Sequence, residues 1–199
     1  MHFLFDLDET LVKGDIIKTV SLDMYFKGEL YRVYSGRDIS SYNLTGLPEN
    51  LKEKVLDAFI NPKFVYLKQV INEAYNFLCC LQLYGHSISI LTSRSLSIQK
   101  ETIDFINTKF PRINFLNVEF CTNSSITADA RISKKEKLLH LKPDFYFDDA
   151  IHYCNESANL GIETYLISNN YTGWNWNRYD LDYRVNIIKH IGMFNWRRL

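Results

Sequence analysis

Two acidic residues close together at the end of an apolar strand constrain this chain more than any other feature. The segment Asp6-Leu7-Asp8-Glu9-Thr10 follows an apolar run at residues 2–5, which has the length and composition of a buried strand. Because side chains alternate along a strand, Asp6 and Asp8 lie on the same side of the backbone. Two such carboxylates repel each other unless a cation lies between them, and Mg²⁺ prefers carboxylate, water and phosphate oxygens. The alternative is a strand that simply ends in an acidic turn.

Two further apolar segments also end in polar residues that can bind phosphate or metal. Residues 87–91 predict a strand that leads into Thr92-Ser93-Arg94-Ser95 and then a helix. Residues 144–147 predict a strand that ends in Asp148-Asp149. In open α/β sheets, ligands bind outside the carboxyl ends of the strands. The three segments therefore predict an α/β fold in which these polar groups converge on one site.

A pair of lysines precedes a predicted helix between the second and third of these strands. Lys134 and Lys135 follow Ser133, and the helical run continues through Leu138 and Leu141. A lysine at the start of a helix adds positive charge to a place that already favours anions. The alternative is an ordinary solvated helix face. Between the two lysines we favour Lys134, because Leu138 and Leu141 are four and seven residues further on and share its side of the helix.

The order of these motifs resembles that of the haloacid dehalogenase-like (HAD) phosphohydrolase superfamily. Its members carry DxDx[TV] at the first strand, Ser or Thr after the second, Lys near a later helix and acidic residues after the fourth strand. The matching residues in this chain are Asp6, Asp8, Thr92, Lys134 and the pair Asp148-Asp149. The resemblance implies a Rossmann-like, doubly wound parallel sheet.

The resemblance also implies a phosphatase that works through an aspartyl-phosphate intermediate. Asp6 would be the nucleophile that attacks phosphorus. Asp8 would donate a proton to the leaving oxygen and then accept one from the attacking water. Thr92 and Lys134 would hold the non-bridging phosphate oxygens, which carry negative charge throughout the transfer.

Mg²⁺ is the cofactor that the resemblance implies. Its protein ligands would be the Asp6 carboxylate, the backbone carbonyl of Asp8 and the Asp148 carboxylate. Asp149 is expected to steady this set of ligands rather than to bind the metal itself. Arg94 is expected near the mouth of the site, where nothing in the sequence assigns it a role.

About 75 residues separate Thr10 from the strand at residues 87–91, which leaves room for an insertion. Its apolar spacing predicts helices at residues 15–26 and 49–60, and a long helix at residues 66–84 that leads back to the sheet. The insertion resembles the small helical cap that many HAD enzymes carry after the first strand, and such a cap excludes water from the site. We therefore predict a catalytic core at residues 1–13 and 68–199 and a cap at residues 14–67.

The chain beyond Asp149 continues the alternation of helices and strands. The pattern predicts a helix at residues 150–160, strands at residues 163–167 and 183–185, and a closing helix from about residue 187. The intervening segment contains Trp174 and Trp176 among Asn, Tyr and Gly residues. It follows the carboxyl end of a strand and is expected at the edge of the site. These tryptophans could stack on a base, although we favour a packing role for them.

Composition agrees with a compact enzyme. The 199 residues contain 23 lysines and arginines and 23 acidic residues, so no electrostatic field argues for nucleic acid or a membrane surface as partner. No apolar run approaches the length of a membrane span, and Asp6 interrupts the apolar start that a signal peptide needs. The four cysteines have neither zinc spacing nor the density of a disulfide scaffold. We therefore expect a cytoplasmic protein with reduced thiols.

Several segments are similar to the 5′(3′)-deoxyribonucleotidase group of HAD enzymes. They include Ser41-Tyr42-Asn43-Leu44, Asn61-Pro62-Lys63-Phe64 and Ile88-Ser89-Ile90-Leu91-Thr92. This resemblance implies that nucleoside monophosphates are the substrates and that the aromatic residues Tyr25, Phe26 and Tyr42 of the cap lie near the base.

Glu9 departs from that group, which usually carries Gly at this position. Asp-Leu-Asp-Glu-Thr is more typical of C-terminal-domain protein phosphatases, which generally lack a cap, and of class C acid phosphatases, which are exported. Polynucleotide 3′-phosphates, sugar phosphates and phosphoproteins remain alternative substrates. A non-catalytic binding module is a further alternative, against which the complete set of motif residues argues.

Overall fold

The centre of the structure is a parallel sheet of six strands. The computed structural model describes residues 1–39, 44–121, 132–168 and 180–194. The strands are β1 (His2–Phe5), β4 (Ser87–Thr92), β5 (Asn117–Phe120), β6 (Phe145–Asp148), β7 (Glu163–Ile167) and β8 (Asn186–Ile188). Their order across the sheet is β5-β4-β1-β6-β7-β8, and every neighbouring pair is parallel.

Helices cover both faces of this sheet. They are α4 (Asn72–Leu83), α5 (Gln99–Lys109), α6 (Lys134–Leu141) and α7 (Ile151–Asn159). The apolar side chains of α4 and α5 pack on one face, and those of α6 and α7 belong to clusters on the other. The predicted α/β fold with a doubly wound parallel sheet is therefore confirmed.

Stacked aromatic rings hold the central strands in register. The ring centroids of Phe3 and Phe145 are 4.7 Å apart, and those of Phe5 and Phe147 are 4.8 Å apart. Tyr165 on β7 continues the row at 5.0 Å from Phe147. Cross-strand aromatic pairs of this kind stabilise a sheet beyond the burial of their surface. The row ends beside the carboxyl ends of β1 and β6, so it fixes the relative position of the residues that follow.

The insertion after β1 has an apolar cluster of its own. The chain leaves the core through β2 (Val12–Lys13) and returns through β3 (Gln69–Val70), and these two strands pair antiparallel. Between them lie the helices α1 (Ile16–Phe26), α2 (Glu49–Phe59) and α3 (Pro62–Val65). The buried side chains of this segment pack on one another. The division into a core at 1–13 and 68–199 and a cap at 14–67 stays a prediction.

The predicted helix at residues 66–84 is wrong in its first third. The structure has α3, then β3, and only from Asn72 onwards the helix α4. Asn61 caps α3, since its side-chain oxygen accepts a hydrogen bond from the Lys63 amide at 3.2 Å. Residues 69–70 pair with β2 as a short strand instead of forming a helix. Local apolar spacing extends through this region, but backbone pairing with a distant segment determines its conformation.

The end of the chain also differs from the prediction. Residues 183–185 lie in a turn rather than a strand, in which the Val185 amide bonds the Asp182 carbonyl at 3.0 Å. The strand comes directly afterwards as β8, where Ile187 is aligned with Leu166 of β7. A closing helix was predicted from residue 187. The described residues after β8 contain instead one 3₁₀ turn, at Ile191–Met193. Pairing with the edge of the sheet outweighs the helical spacing of this segment.

The helices α1, α2 and α7 and the strands β1, β4, β6 and β7 agree with the predicted bounds within one residue. The helices α5 and α6 lie where helices were predicted without bounds, and no strand was predicted at β2 or β5. Residues 41–43, with Tyr42, and the segment of Trp174 and Trp176 lie outside the described residues. Within the described part of the chain, no helix combines the length and the apolar character that a membrane crossing requires.

Candidate active site

Three predicted site residues meet at the carboxyl edge of the sheet. Asp6 directly follows β1, and Thr92 and Asp148 are the last residues of β4 and β6. All three are buried. The Asp6 amide donates a hydrogen bond to the Phe147 carbonyl at 2.8 Å, so the backbone itself sets the Asp6 side chain beside Asp148. Parallel pairing of β1 with both β4 and β6 thus brings the motifs together.

Lys134 joins two of these carboxylates. Its ammonium nitrogen donates to Asp6 Oδ1 at 2.7 Å and to Asp148 Oδ2 at 2.6 Å. The residue opens α6, and the Ser133 hydroxyl caps this helix by accepting from the Glu136 amide at 3.2 Å. Only 2% of Lys134 is exposed, whereas Lys135 faces solvent. Of the two candidate lysines, Lys134 is the one that the structure places in the site.

Asp148 is held from three sides. Its Oδ1 accepts a hydrogen bond from the Ala150 amide at 2.8 Å. Its Oδ2 accepts from Lys134 and from the hydroxyl of Tyr146. Sequence analysis missed Tyr146, although the alternation of a strand puts a residue two positions earlier on the same side as Asp148. Such a set of donors fixes the orientation of the carboxylate before any ligand binds.

Asp6, Asp148 and Asp149 form a cluster of carboxylates suited to a metal ion. One oxygen from each lies within 4.8 Å of the others. Burial, followed by the Asp148 charge, outweighs the attraction of Lys134 and raises the pKa of Asp6 to about 7. Burial and the negative charges of Asp148 and Asp6 raise the pKa of Asp149 as well. Raised pKa values of this kind occur where several carboxylates lie close together and the nearby positive charge does not neutralise them all. Asp149, for which we expected an indirect role, contributes one oxygen to the same cluster.

Charge in the surrounding cavity supports a divalent cation. Among the described residues, five carboxylates and three cations line the cavity, which leaves two negative charges when all are ionised. They are Asp6, Asp8, Glu9, Asp148, Asp149, Lys68, Arg94 and Lys134. All ligands in the cluster are hard oxygens, which Mg²⁺ prefers. The residues present therefore fit this ion.

The Asp8 side chain turns away from the carboxylate cluster and pairs with two cations. Arg94 binds it through two hydrogen bonds, from Nε to Oδ2 at 2.8 Å and from Nη2 to Oδ1 at 2.9 Å. The Lys68 ammonium lies 3.5 Å from Oδ1. Burial would raise the pKa of Asp8, but Arg94 and Lys68 outweigh it and hold the pKa well below its usual range. The sequence alone predicted neither partner.

A cavity of about 200 Å³ opens above these residues. The sheet edge supplies its charged floor, and the insertion supplies a largely apolar wall that includes Ile16, Leu44, Phe59, Asn61 and Phe64. Among the described residues, Tyr25 and Phe26 are not part of this wall, and Phe26 is 81% exposed. Among the described residues, the aromatic side chains that line the cavity are Phe59 and Phe64 of the insertion and Tyr153 of α7, rather than Tyr25 and Phe26.

Solved structures share this arrangement of sheet and helices. A haloacid dehalogenase-like family hydrolase from Streptococcus pneumoniae has a TM-score of 0.60 and 14% identity, covering 94% of this chain and 92% of its own. CbbY from Rhodobacter sphaeroides, in complex with phosphate, has a TM-score of 0.60 and 12% identity, covering 96% and 95%. D,D-heptose 1,7-bisphosphate phosphatase from B. bronchiseptica, complexed with magnesium and phosphate, has a TM-score of 0.54 and 7% identity, covering 96% and 94%. No protein-family model and no curated protein sequence matches the chain. The chain has the haloacid dehalogenase-like fold.

The departure of Glu9 from the 5′(3′)-deoxyribonucleotidase group, which usually carries Gly there, has a structural explanation. Glu9 has a positive φ of 63°, a conformation that glycine adopts at little cost. The Glu9 carboxylate accepts a hydrogen bond from the Gly14 amide at 3.0 Å and lies 3.4 Å from the Lys68 ammonium. These contacts offset the strain of the backbone and tie the loop after β1 to the chain that returns through β3.

Replacing Lys134 should destabilise the protein strongly, because Asp6 and Asp148 would lose their shared buried cation. For Lys134→Met we expect a loss of about 3–5 kcal/mol in the free energy of unfolding at pH 8, as for other broken buried pairs. The loss should be smaller at pH 5, where the carboxylates of the folded variant hold protons. Urea denaturation at both pH values measures this. The matched control Lys135→Met should change stability by less than about 0.5 kcal/mol, and equal effects of the two substitutions would contradict the assignment.

Proposed function

We propose that the protein is a Mg²⁺-dependent phosphomonoesterase that works through an aspartyl-phosphate on Asp6. The observation that carries this proposal is the buried cluster in which Lys134 bridges Asp6 and Asp148 at the carboxyl edge of the sheet. A buried lysine held between carboxylates can bind a phosphoryl group while one carboxylate attacks it. Similarity to haloacid dehalogenase-like hydrolases and phosphatases supports the same activity.

The proposed reaction has two steps that use the same pair of aspartates. In the first, an Asp6 oxygen forms a bond to phosphorus, the ester bond breaks, and Asp8 donates a proton to the leaving oxygen. In the second, Asp8 accepts a proton from water, which attacks phosphorus and releases inorganic phosphate from Asp6. Lys134 donates to the non-bridging oxygens throughout. The Thr92 hydroxyl, at the end of β4, would do the same.

Asp6, Asp148 and the Asp8 backbone carbonyl would hold Mg²⁺, with Asp149 in the same carboxylate cluster. The bound ion would neutralise charge on the phosphoryl oxygens. Because Asp8 is paired with Arg94, its carboxylate is kept apart from the metal ligands. It would take up a proton once this ion pair loosens, since Arg94 and Lys68 hold its pKa low. The two aspartates of the motif thus have different surroundings suited to different roles.

For the substrate, we favour a nucleoside monophosphate over a sugar phosphate. The wall opposite the charged floor is largely apolar, with the rings of Phe59 and Phe64 and one amide side chain, Asn61. A sugar presents hydroxyl groups that such a wall would leave without partners. A base has apolar faces for stacking and polar edges for an amide. The Asn61 Oδ1 already caps α3, so its Nδ2 is the atom that can donate to a base.

Replacing the proposed nucleophile should abolish turnover and leave the fold intact. Asp6→Asn keeps the shape of the side chain, but the amide cannot attack phosphorus, so we expect less than a thousandth of the hydrolysis rate on 4-nitrophenyl phosphate. The matched control Asp104→Asn changes an aspartate on the exposed surface of α5 and should keep full activity. A rate above a tenth of wild type in Asp6→Asn would rule out the nucleophile assignment.

Stabilisation by Mg²⁺ should increase with pH, because the ion competes with a proton for Asp6. The Asp6 pKa is about 7 in the fold against an ordinary value of 3.8. Raising the pH through this interval therefore destabilises the metal-free protein. We expect Mg²⁺ to raise Tm by more at pH 8 than at pH 5.5, as measured by thermal unfolding with and without the ion. Asp148→Asn should remove most of this gain, and a gain independent of pH would contradict the metal site.

The ring of Phe64 should matter for nucleotides and not for ring-free phosphoesters. Stacking of a base on an aromatic side chain contributes about 1–3 kcal/mol, which is roughly ten- to a hundredfold in kcat/KM. Phe64→Leu keeps an apolar side chain but removes the ring. We therefore expect kcat/KM for nucleoside monophosphates to fall roughly ten- to a hundredfold, and kcat/KM for glycerol 2-phosphate to stay unchanged. Tyr25→Leu, outside the cavity wall, is the control. Equal losses on both substrates would assign Phe64 to packing alone.

A further inference from the structure

Two cations line the cavity outside the carboxylate cluster, and they approach one carboxylate from different parts of the chain. Arg94 comes from the loop after β4, and Lys68 from the segment that leads into β3. Asp8 Oδ1 accepts from Arg94 Nη2 at 2.9 Å and lies 3.5 Å from Lys68 Nζ. A guanidinium and an ammonium that face the same point form an arrangement that binds a carboxylate or phosphate oxygen. Here an internal carboxylate is the partner of both.

The position of Arg94 does not depend on Asp8 alone. Its Nη1 donates to the Thr102 hydroxyl at 3.4 Å, and its guanidinium lies 5.5 Å from the ring centroid of Phe105. Both contacts come from α5, and both partners are fully buried. The Arg94 side chain is itself 8% exposed. The guanidinium is thus held on the cavity wall by the core, with its Nε and Nη2 directed towards the loop after β1.

Lys68 is likewise fixed by groups other than Asp8. It donates to the Gly14 carbonyl and lies 3.4 Å from the Glu9 carboxylate. Its side chain is 13% exposed. The two cations would therefore remain in place if another anion replaced the Asp8 carboxylate as their partner.

We infer that Arg94 and Lys68 bind a second anionic group of the substrate, a carboxylate or a phosphate close to the ester oxygen, in exchange for Asp8. This inference rests on the proposed phosphomonoesterase activity, which sets the ester oxygen beside Asp8. The place of the anion follows from the cavity, because an anion further out would meet the apolar wall of Ile16, Leu44 and Phe59 without a partner. The substrate would thus carry its second charge near the scissile bond, which narrows the favoured nucleotides to those with a second anionic group on the sugar beside the phosphate ester.

A purely structural role for Arg94 makes a different prediction. If Arg94 only orients Asp8, its replacement affects every phosphomonoester alike. If it binds a substrate anion, replacement affects substrates that carry that anion more than those that lack it. The discriminating quantity is therefore a ratio of affinities for two probes that differ only in the anion.

Three probes differ in the position of a carboxylate. In 2-carboxyphenyl phosphate the carboxylate is near the ester oxygen, in 4-carboxyphenyl phosphate it is distant, and phenyl phosphate has none. Their Kd values are measured by calorimetry with Mg²⁺ on full-length Asp6→Asn protein, which should bind them without turnover. We expect the 2-carboxy probe to bind at least tenfold more tightly than phenyl phosphate, and the 4-carboxy probe to show no such advantage. Adding Arg94→Met should reduce the ratio to about one, and Arg94→Lys should leave an intermediate ratio.

Lys100→Met is the matched control, since it removes an exposed cation of α5 that pairs with Asp104 and should preserve the ratio. Equal affinity for the 2-carboxy probe and phenyl phosphate would overturn the inference, as would an advantage that survives Arg94→Met. Hydrolysis of phenyl phosphate by the unmodified protein is measured separately. No hydrolysis there would overturn the proposed function together with the inference, whereas hydrolysis with equal affinities would overturn the inference alone.

Discussion

The Lys134 ammonium is the interaction on which the rest of the site depends. It lies between Asp6 and Asp148, two buried carboxylates from adjacent strands that would otherwise repel each other. Desolvating three charged groups is costly, and the cost is offset only when each is paired and hydrogen-bonded. The Tyr146 hydroxyl and the Ala150 amide complete the set on Asp148. The site is thus assembled in advance, with its charges held in place by a packed core rather than by a ligand.

Two aspartates that are only two residues apart have different electrostatic surroundings. Asp6 lies among carboxylates with a raised pKa, whereas the cations Arg94 and Lys68 hold the pKa of Asp8 low. A general acid must carry a proton, so the ion pair of Asp8 has to loosen during the proposed reaction. A substrate that draws Arg94 away from Asp8 would provide that change at the moment of binding. The same contacts then serve both selection of the substrate and timing of proton transfer.

Asp6, Thr92 and Asp148 could be predicted to lie together because they are tied to strand ends. The polar residues at the ends of β4 and β6 and the spacing of Lys134 from Leu138 are local patterns, and the fold places these residues as the patterns predict. The alternation of Asp6 and Asp8 does not hold, because β1 ends at Phe5 and the Asp8 side chain turns towards Arg94. Contacts between distant segments were not accessible in this way. Arg94 is 86 residues from its partner Asp8, and nothing near either residue specifies the pair.

The same limit explains the errors in secondary structure. Residues 66–71 and 186–188 have apolar spacing compatible with a helix, but each segment pairs with a strand far away in the sequence. The energetic balance for such short segments is set by the partner strand, which a local window does not contain. Tyr146 is an intermediate case, since strand alternation placed it beside Asp148 while its hydroxyl contact required the tertiary structure.

The pairing of β2 with β3 has a consequence for how proteins of this shape diversify. Val12 is aligned with Val70 and Lys13 with Gln69, so the chain leaves and re-enters the core at adjacent backbone positions. The core therefore imposes almost no constraint on the length of what lies between, because the entropic cost of closing a loop grows only slowly with its size. The length and sequence of the insertion could therefore change while the pairing of β2 with β3 is kept. Such changes would alter the apolar wall of the cavity and leave the carboxylates at the sheet edge in place.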